Sequence, residues 1–287
     1  MGMIVNNDVL QDVAAEIESN INSAIPQPSV IIGREGSGKT TLLKTLYDRE
    51  TGKGTETVWI DGRSLFSTDD ILSRVSISNR TVLFIDDMDF YFNRVPYDDQ
   101  YRLRRLLYNE GAPLLVATVS SQLSAFTEYQ APFFEGLKFF HIKKLGVSDL
   151  HSLLSVRVSI QRAEKLFSLL PPTIQSVETI RHIMIWNDNP DNDTNCLLSV
   201  YSGRYRDLYQ SLPTYSQHIL NALSTKQEGM VMVELREATG LPTGTLSVYL
   251  RNLNGSRILS ADASVKKLTR YMIKDPLFKK WLNSENA

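Results

Sequence analysis

The octapeptide GREGSGKT, residues 33–40, fills every fixed position of a G-x-x-x-x-G-K-[ST] pattern with Gly33, Gly38, Lys39 and Thr40, and Gly36 adds a third flexible point. Residue types at this spacing serve one kind of chemistry. Glycines let the backbone wrap an anion with its N–H groups, and a helix opening at the lysine points its positive end at the same place. The lysine reaches the outer phosphates of a nucleotide, and the Thr40 hydroxyl is a Mg²⁺ ligand. Ser37 and Thr41 complete the candidate phosphate-binding set of Gly33, Gly36, Ser37, Gly38, Lys39, Thr40 and Thr41.

A site of this kind needs an acid opposite the loop, and TVLFIDDMD supplies it. The four apolar residues Val82 to Ile85 carry Asp86 to the carboxyl edge of a buried strand, where it can hold Mg²⁺ together with Thr40. Asp87 follows as candidate base for an attacking water, with Asp89 as the alternative. A further apolar run, LLVATVS, brings Thr118 or Ser120 beside the outermost phosphate, where a hydroxyl could orient water or report hydrolysis; capping of the strand end is the plainer use of both.

The elements that must position these residues follow from periodicity. From Ser29 to about Leu145, short apolar runs alternate with amphipathic stretches, which predicts an α/β domain with a largely parallel sheet. Five strands are expected at Ser29 to Ile32, Glu56 to Asp61, Thr81 to Asp87, Pro113 to Ser120 and Leu137 to Ile142. Helices are expected at Lys39 to Tyr47, Asp69 to Val75 and Asp98 to Asn109. After Val147 the β-branched runs give way to helical spacing, interrupted by LLPPT and by the polar NDNPDNDTN.

From Ser216 the expected order is helix (Gln217 to Leu223), helix (Met232 to Thr239), turn, helix (Thr243 to Asn254), then strands near Ile258 and from Leu268 to Ile273, a winged helix. Three domains are expected: 1–146, the α/β domain; 147–212, a helical lid; and 213–287, the winged helix. Thr245, Ser247 and Arg251 fall on the second helix of the last module, and Lys266, Lys267 and Arg270 near its wing. Such groups contact phosphates and base edges of duplex DNA. Between Gly240 and Lys274 six basic residues face one acid, Asp262. Packing against protein is the other use of such a module.

The motifs at Gly33 to Thr40 and Val82 to Asp87, with Ala117 to Ser120, the helical region and the winged helix, resemble AAA+-type and STAND-type P-loop ATPases, in the layout of archaeal origin-recognition and archaeal-ATPase proteins. The resemblance implies ATP and Mg²⁺ as cofactors, ADP as product, slow hydrolysis and nucleotide-dependent self-association. Within YSGRYRDLYQSL, Gly203, Arg206 and Leu208 resemble the start of a lid helix in those families, which would bring Arg206 to the γ-phosphate. Hydrolytic members carry Asp-Glu after the apolar strand, whereas this chain has Asp86-Asp87, the form of many STAND signalling proteins. The absence of an Asn-Lys-x-Asp guanine motif favours adenine. An arginine finger from Arg102, Arg104 or Arg105 competes with a solvated basic face.

Composition sets the outer bounds. The 287 residues carry 31 basic and 32 acidic side chains, so no whole-molecule attraction to nucleic acid exists and any such contact must be local. One cysteine, Cys196, and four scattered histidines argue against a disulfide framework or a zinc site. No export leader or apolar run of membrane length is recognisable, so a cytoplasmic protein without membrane contact is expected. The expected functions are an ATP-dependent DNA-associated regulator or loader, or a nucleotide switch that recognises a protein; a small-molecule kinase lacks an evident acceptor pocket.

Overall fold

The computed structural model describes residues 8–75, 81–121, 123–154, 159–262 and 269–285. The chain divides into two compact units, residues 1–149 with 173–175, and residues 150–172 with 176–287.

The first unit begins with helix α1 (Asp8–Ile21) and strand β1 (Ser29–Ile32), followed by α2 (Lys39–Gly52), β2 (Glu56–Asp61) and a single-turn α3 (Asp69–Leu72). Then come β3 (Thr81–Asp86), α4 (Asp89–Arg94), α5 (Tyr97–Tyr108), β4 (Leu114–Val119), the short α6 (Ser124–Thr127) and β5 (Lys138–His141). All five strands are parallel, in the order β2-β3-β4-β1-β5. The unbroken apolar runs explain the order. Strands β1, β3 and β4 are buried at every residue and take the three inner places, whereas β2 and β5, with exposed positions, take the edges. The expected strands form within a residue at each end. The third expected helix runs over Tyr97–Tyr108, and the second shrinks to one turn.

Register does the positioning. Asp61 pairs with Asp86, Ile85 with Ala117, and Ile32 with Val119, so β1, β3 and β4 end level with one another. Helix α4, which the sequence reading missed inside MDFYFNR, clamps this edge from one face. Its Phe92 meets Tyr91, Phe126 and Phe133 edge to face at 5.5, 4.9 and 5.4 Å between ring centroids. The Tyr91 hydroxyl lies 2.8 Å from that of Thr68, and burial raises the Tyr91 pKa.

The second unit receives α7 (Val147–Leu153), which starts in the first, and contains α8 (Ile160–Phe167), most of α9 (Ile174–Trp186) and α10 (Asp193–Ser211). It ends with α11 (Thr214–Thr225), β6 (Met230–Val231), α12 (Met232–Thr239), α13 (Thr243–Gly255), β7 (Leu259–Asp262), β8 (Arg270–Ile273) and α14 (Pro276–Glu285). The small antiparallel sheet has the order β6-β8-β7. From α11 to β8 the order is helix, strand, helix, helix, strand, strand, with β6 as the strand that the sequence reading missed. Leu277, Phe278 and Trp281 are buried. The expectation that Gly203 opens a lid helix is corrected: Gly203 lies in the interior of α10, an unbroken helix from Asp193 capped by no turn near that glycine. Among the described residues no helix is long and apolar enough to cross a membrane.

Because Phe92 joins three rings under the acid-bearing edge, Phe92→Ala should destabilise the first unit by about 3–5 kcal/mol. Urea unfolding followed by fluorescence and circular dichroism checks this; a loss under about 1 kcal/mol would mean that the aromatic cluster collapses around the gap.

Candidate functional site

The loop from Gly33 to Gly38 leaves the end of β1 with the Gly33 N–H donating to the Val119 carbonyl of β4 at 3.2 Å. Gly36 and Gly38 have φ of 75° and 93°, the left-handed region that side chains resist, and they turn the backbone inward ahead of α2. Several donors around the turn lack an adequate acceptor. Helix α2 has no side-chain cap and no acid in its first turn. Among the described residues the Ser37 hydroxyl is buried without a partner, and the ammonium of Lys39, a largely buried residue, reaches only the Arg34 carbonyl at 3.3 Å. An uncapped helix start, an orphaned hydroxyl and a buried cation converge on a demand for a multivalent anion, so the residues present fit a nucleotide's phosphates.

The loop has a cover that the sequence reading did not find. Thr173–Gln175, at the start of α9, belongs to the first unit, and the Gln175 N–H donates to the Gly36 carbonyl at 3.0 Å. A Cβ at Gly38 would stand 3.1 Å from both Ile174 and Leu10 of α1. The only sequence signal was LLPPT, whose prolines stop α8 from running on and deliver this segment.

Opposite the loop, Thr118 organises both acids. Its fully buried hydroxyl donates to Asp86 Oδ1 at 2.6 Å and accepts the Asp87 N–H at 2.9 Å, while its carbonyl accepts the Met88 N–H at 2.9 Å. Thr118 is thus a positioning residue in this arrangement, its hydroxyl turned to Asp86 and not to the cleft. Asp87 is held in the left-handed region at φ 50°. Its carboxylate accepts from Arg63 Nε at 3.1 Å and also from Arg63 Nη2. Asp89, the alternative base, accepts from the Ser120 N–H at 2.9 Å and hydroxyl at 3.0 Å. Glu35, Lys39, Arg63, Asp87, Asp89 and Ser120 face one open cleft of about 720 Å³, so loop and acids share a space.

Arg63 escaped the sequence reading because nothing in GRS marks it; the parallel pairing of β2 with β3 brings it to Asp87. Gly62 permits the approach: a Cβ there would lie 2.5 Å from the Asp87 carbonyl oxygen. The Asp87 hydrogen bond and charge, with smaller help from Asp61 and Asp86, raise the Arg63 pKa.

The other sequence candidates fall elsewhere. Thr40 is exposed at the start of α2, and half-buried Thr41 borders a water-sized gap against α1. Arg206 lies on α10 in the second unit. Arg102 pairs with Asp69 and Asp99 at 2.7 and 2.8 Å, and Arg104 donates to the Pro132 carbonyl. On α13, Arg251 is exposed, Thr245 is half-buried, and the Ser247 hydroxyl donates to the Thr243 carbonyl at 2.9 Å. Arg270 turns inward, donating to the Gly229 carbonyl at 3.0 Å and standing 3.8 Å from Glu234. Lys266 and Lys267 lie outside the described residues.

Residues 1–130 match the family model described as Novel STAND NTPase 5. The Aeropyrum pernix Orc1 protein, solved in complex with DNA, is 14% identical over 97% of this chain and 92% of its own, with a TM-score of 0.58. A Thermotoga maritima RuvB variant is 18% identical over 97% and 95%, with a TM-score of 0.52. The fold is that of the AAA+ P-loop ATPases. No curated protein sequence matches this chain.

Thr118→Val keeps the shape of the residue and removes the hydroxyl that serves two partners. It should cost about 1–3 kcal/mol in urea unfolding, because the Asp86 carboxylate and the Asp87 N–H lose their shared partner. Wild-type stability in the variant would show that water replaces the hydroxyl at no cost.

Proposed function

We propose that the chain binds ATP with Mg²⁺ in this cleft, hydrolyses it slowly, and acts as a DNA-associated regulator or loader. The observation that carries the reading is the set of unmet donors at Ser37, Lys39 and the start of α2, with Lys39 and Asp87 lining one cleft. Gly33, Gly36 and Gly38 offer backbone N–H groups to the phosphates, and Lys39 meets the outer charges. Thr40 and Asp86 would hold the magnesium ion, which when bound neutralises charge developing between the phosphates.

Asp87 is the proton acceptor for the attacking water, with Asp89 turned instead to Ser120. The Arg63 pair occupies the Asp87 carboxylate and so slows that transfer. In this reading 147–212 acts as lid and 213–287 as winged helix, with Arg206 reporting the γ-phosphate to the lid. The exposed Arg251, with Thr245, Ser247, Lys266 and Lys267, meets duplex DNA, while Arg270 supports the wing from inside. The Orc1 relative bound to DNA supports the DNA arm, and a cytoplasmic setting and nucleotide-dependent self-association belong to the same reading.

A second reading, a nucleotide switch that recognises a protein, draws on the STAND NTPase match and on the Arg63–Asp87 pair, which suits holding nucleotide more than spending it.

Lys39→Ala should weaken ATP binding at least tenfold by calorimetry, about 1.4 kcal/mol, in a protein that still unfolds cooperatively. Unchanged affinity would remove the site. Asp87→Asn should lower single-turnover hydrolysis by about 10²–10⁴-fold with ATP still bound, whereas Arg63→Ala should raise it; wild-type turnover in Asp87→Asn would disqualify Asp87 as the base. For the DNA arm, Lys266→Ala with Lys267→Ala should flatten the log–log salt dependence of duplex binding by about 0.9 per lost contact. Salt-independent or absent duplex binding by the wild type would put the protein-recognition reading first.

A further inference from the structure

One wall of the cleft continues outward as a row of flat groups that the ATP reading does not use. The Arg94 guanidinium lies 4.4 Å from the Phe66 ring centroid and 5.9 Å from that of Phe90, and the Arg63 guanidinium lies 5.9 Å from Phe90 on the same row. The order is Phe66, Arg94, Phe90, Arg63. Both rings are open to solvent, Phe66 at 67% and Phe90 at 43%. Neither exposure is needed for the core, which α4 builds from Tyr91 and Phe92.

The row is held in place. Arg94 Nη1 donates to the Arg63 and Leu65 carbonyls at 3.1 and 3.3 Å, which fixes the guanidinium plane between the rings. The Phe66 N–H donates to Asp70 Oδ2 at 2.8 Å, which fixes the backbone that carries the outer ring. Among the described residues no carboxylate forms an ion pair with Arg94, whereas Arg63 is met by Asp87 and Asp61. Fixed, exposed aromatic faces beside an unpaired arginine are what successive unstacked bases and their phosphates require. A duplex hides its base faces and gains only the charge.

We propose that Phe66, Arg94 and Phe90 form a stacking platform for single-stranded nucleic acid, built from residues other than those of the phosphate loop and of α13. Bases lie against Phe66 and Phe90, and Arg94 meets a phosphate between them. Sequence preference is weak, because every base offers a face to stack. The platform stands whether or not the cleft binds ATP.

The test is fluorescence anisotropy of the full chain, without nucleotide, against a labelled oligothymidylate of about 15 nucleotides and against a duplex of the same length. The wild type should bind the single strand more tightly than the duplex and lose affinity with salt. Phe66→Ala should weaken single-strand binding at least about fivefold, the loss of one base–aromatic stack, and Phe66→Trp should retain it. Arg94→Ala should flatten the log–log salt slope by about 0.7. Phe66 is exposed, so its substitution leaves the fold intact even if Phe90→Ala does not.

Three results would overturn the proposal. The wild type fails to bind the single strand; the Phe66→Ala/Arg94→Ala double variant binds as the wild type does, placing the strand elsewhere; or Phe66→Leu binds as the wild type does, which makes the contact apolar and not stacking. Because no nucleotide is present, loss of ATP binding in Lys39→Ala leaves the measurement unaffected, and the two readings fail separately.

Discussion

The end of β4 stands between the ends of β1 and β3, and the cleft depends on that placement. On one side the Val119 carbonyl takes the Gly33 N–H and fixes where the phosphate loop begins. On the other, the Thr118 hydroxyl accepts a hydrogen bond from the Asp87 N–H and donates one to Asp86. One pair of adjacent residues thereby ties an anion-seeking turn to a pair of acids that lie about fifty positions away in sequence. Side chains on neighbouring parallel strands point the same way at the same register, so a slip of one residue would turn Thr118 away from both acids.

The placement is stable because the inner strands are apolar at nearly every position and the outer ones are not. Burying β1, β3 and β4 on both faces leaves Asp86 and Asp87 where the apolar run stops, at the first point where water or a cation can reach them. Helices α4 and α5 then lock the same edge through Tyr91, Phe92 and the two hydrogen bonds that Thr68 donates to Asp99. The edge strand β2 adds Arg63, and it does so through a backbone approach that only glycine at position 62 allows.

The second unit is built by other means. Its aromatic residues Tyr205, Phe278 and Trp281 join α10 to α14, with centroids 5.1 Å apart for Tyr205 and Phe278, and the Tyr205 hydroxyl donates to Asp275 at 3.0 Å. Burial and the Asp275 charge both push the Tyr205 pKa up, so the phenol keeps its proton. On α13, Arg251 is exposed.

The loop, the acids and the strands were legible in the sequence because each is a local pattern: fixed glycine spacing, an apolar run ending in Asp-Asp, and β-branched stretches separated by helical periodicity. The helices at the C-terminal end were legible for the same reason, Met232–Thr239 to the residue. Helix α4 was not, because six residues are too few to show a period. Gly203 was misplaced because a short family-like run has no local signal that separates a helix start from a helix interior. The partner of Asp87 and the cover over Gly36 lay beyond sequence altogether. Arg63 reaches Asp87 only through the pairing of two strands, and Gln175 reaches Gly36 only because the chain returns to the first unit for three residues. Local spacing determined which groups can do the chemistry; long-range register and packing decided which of them meet, since the contacts that bring them together join residues with no fixed separation along the chain.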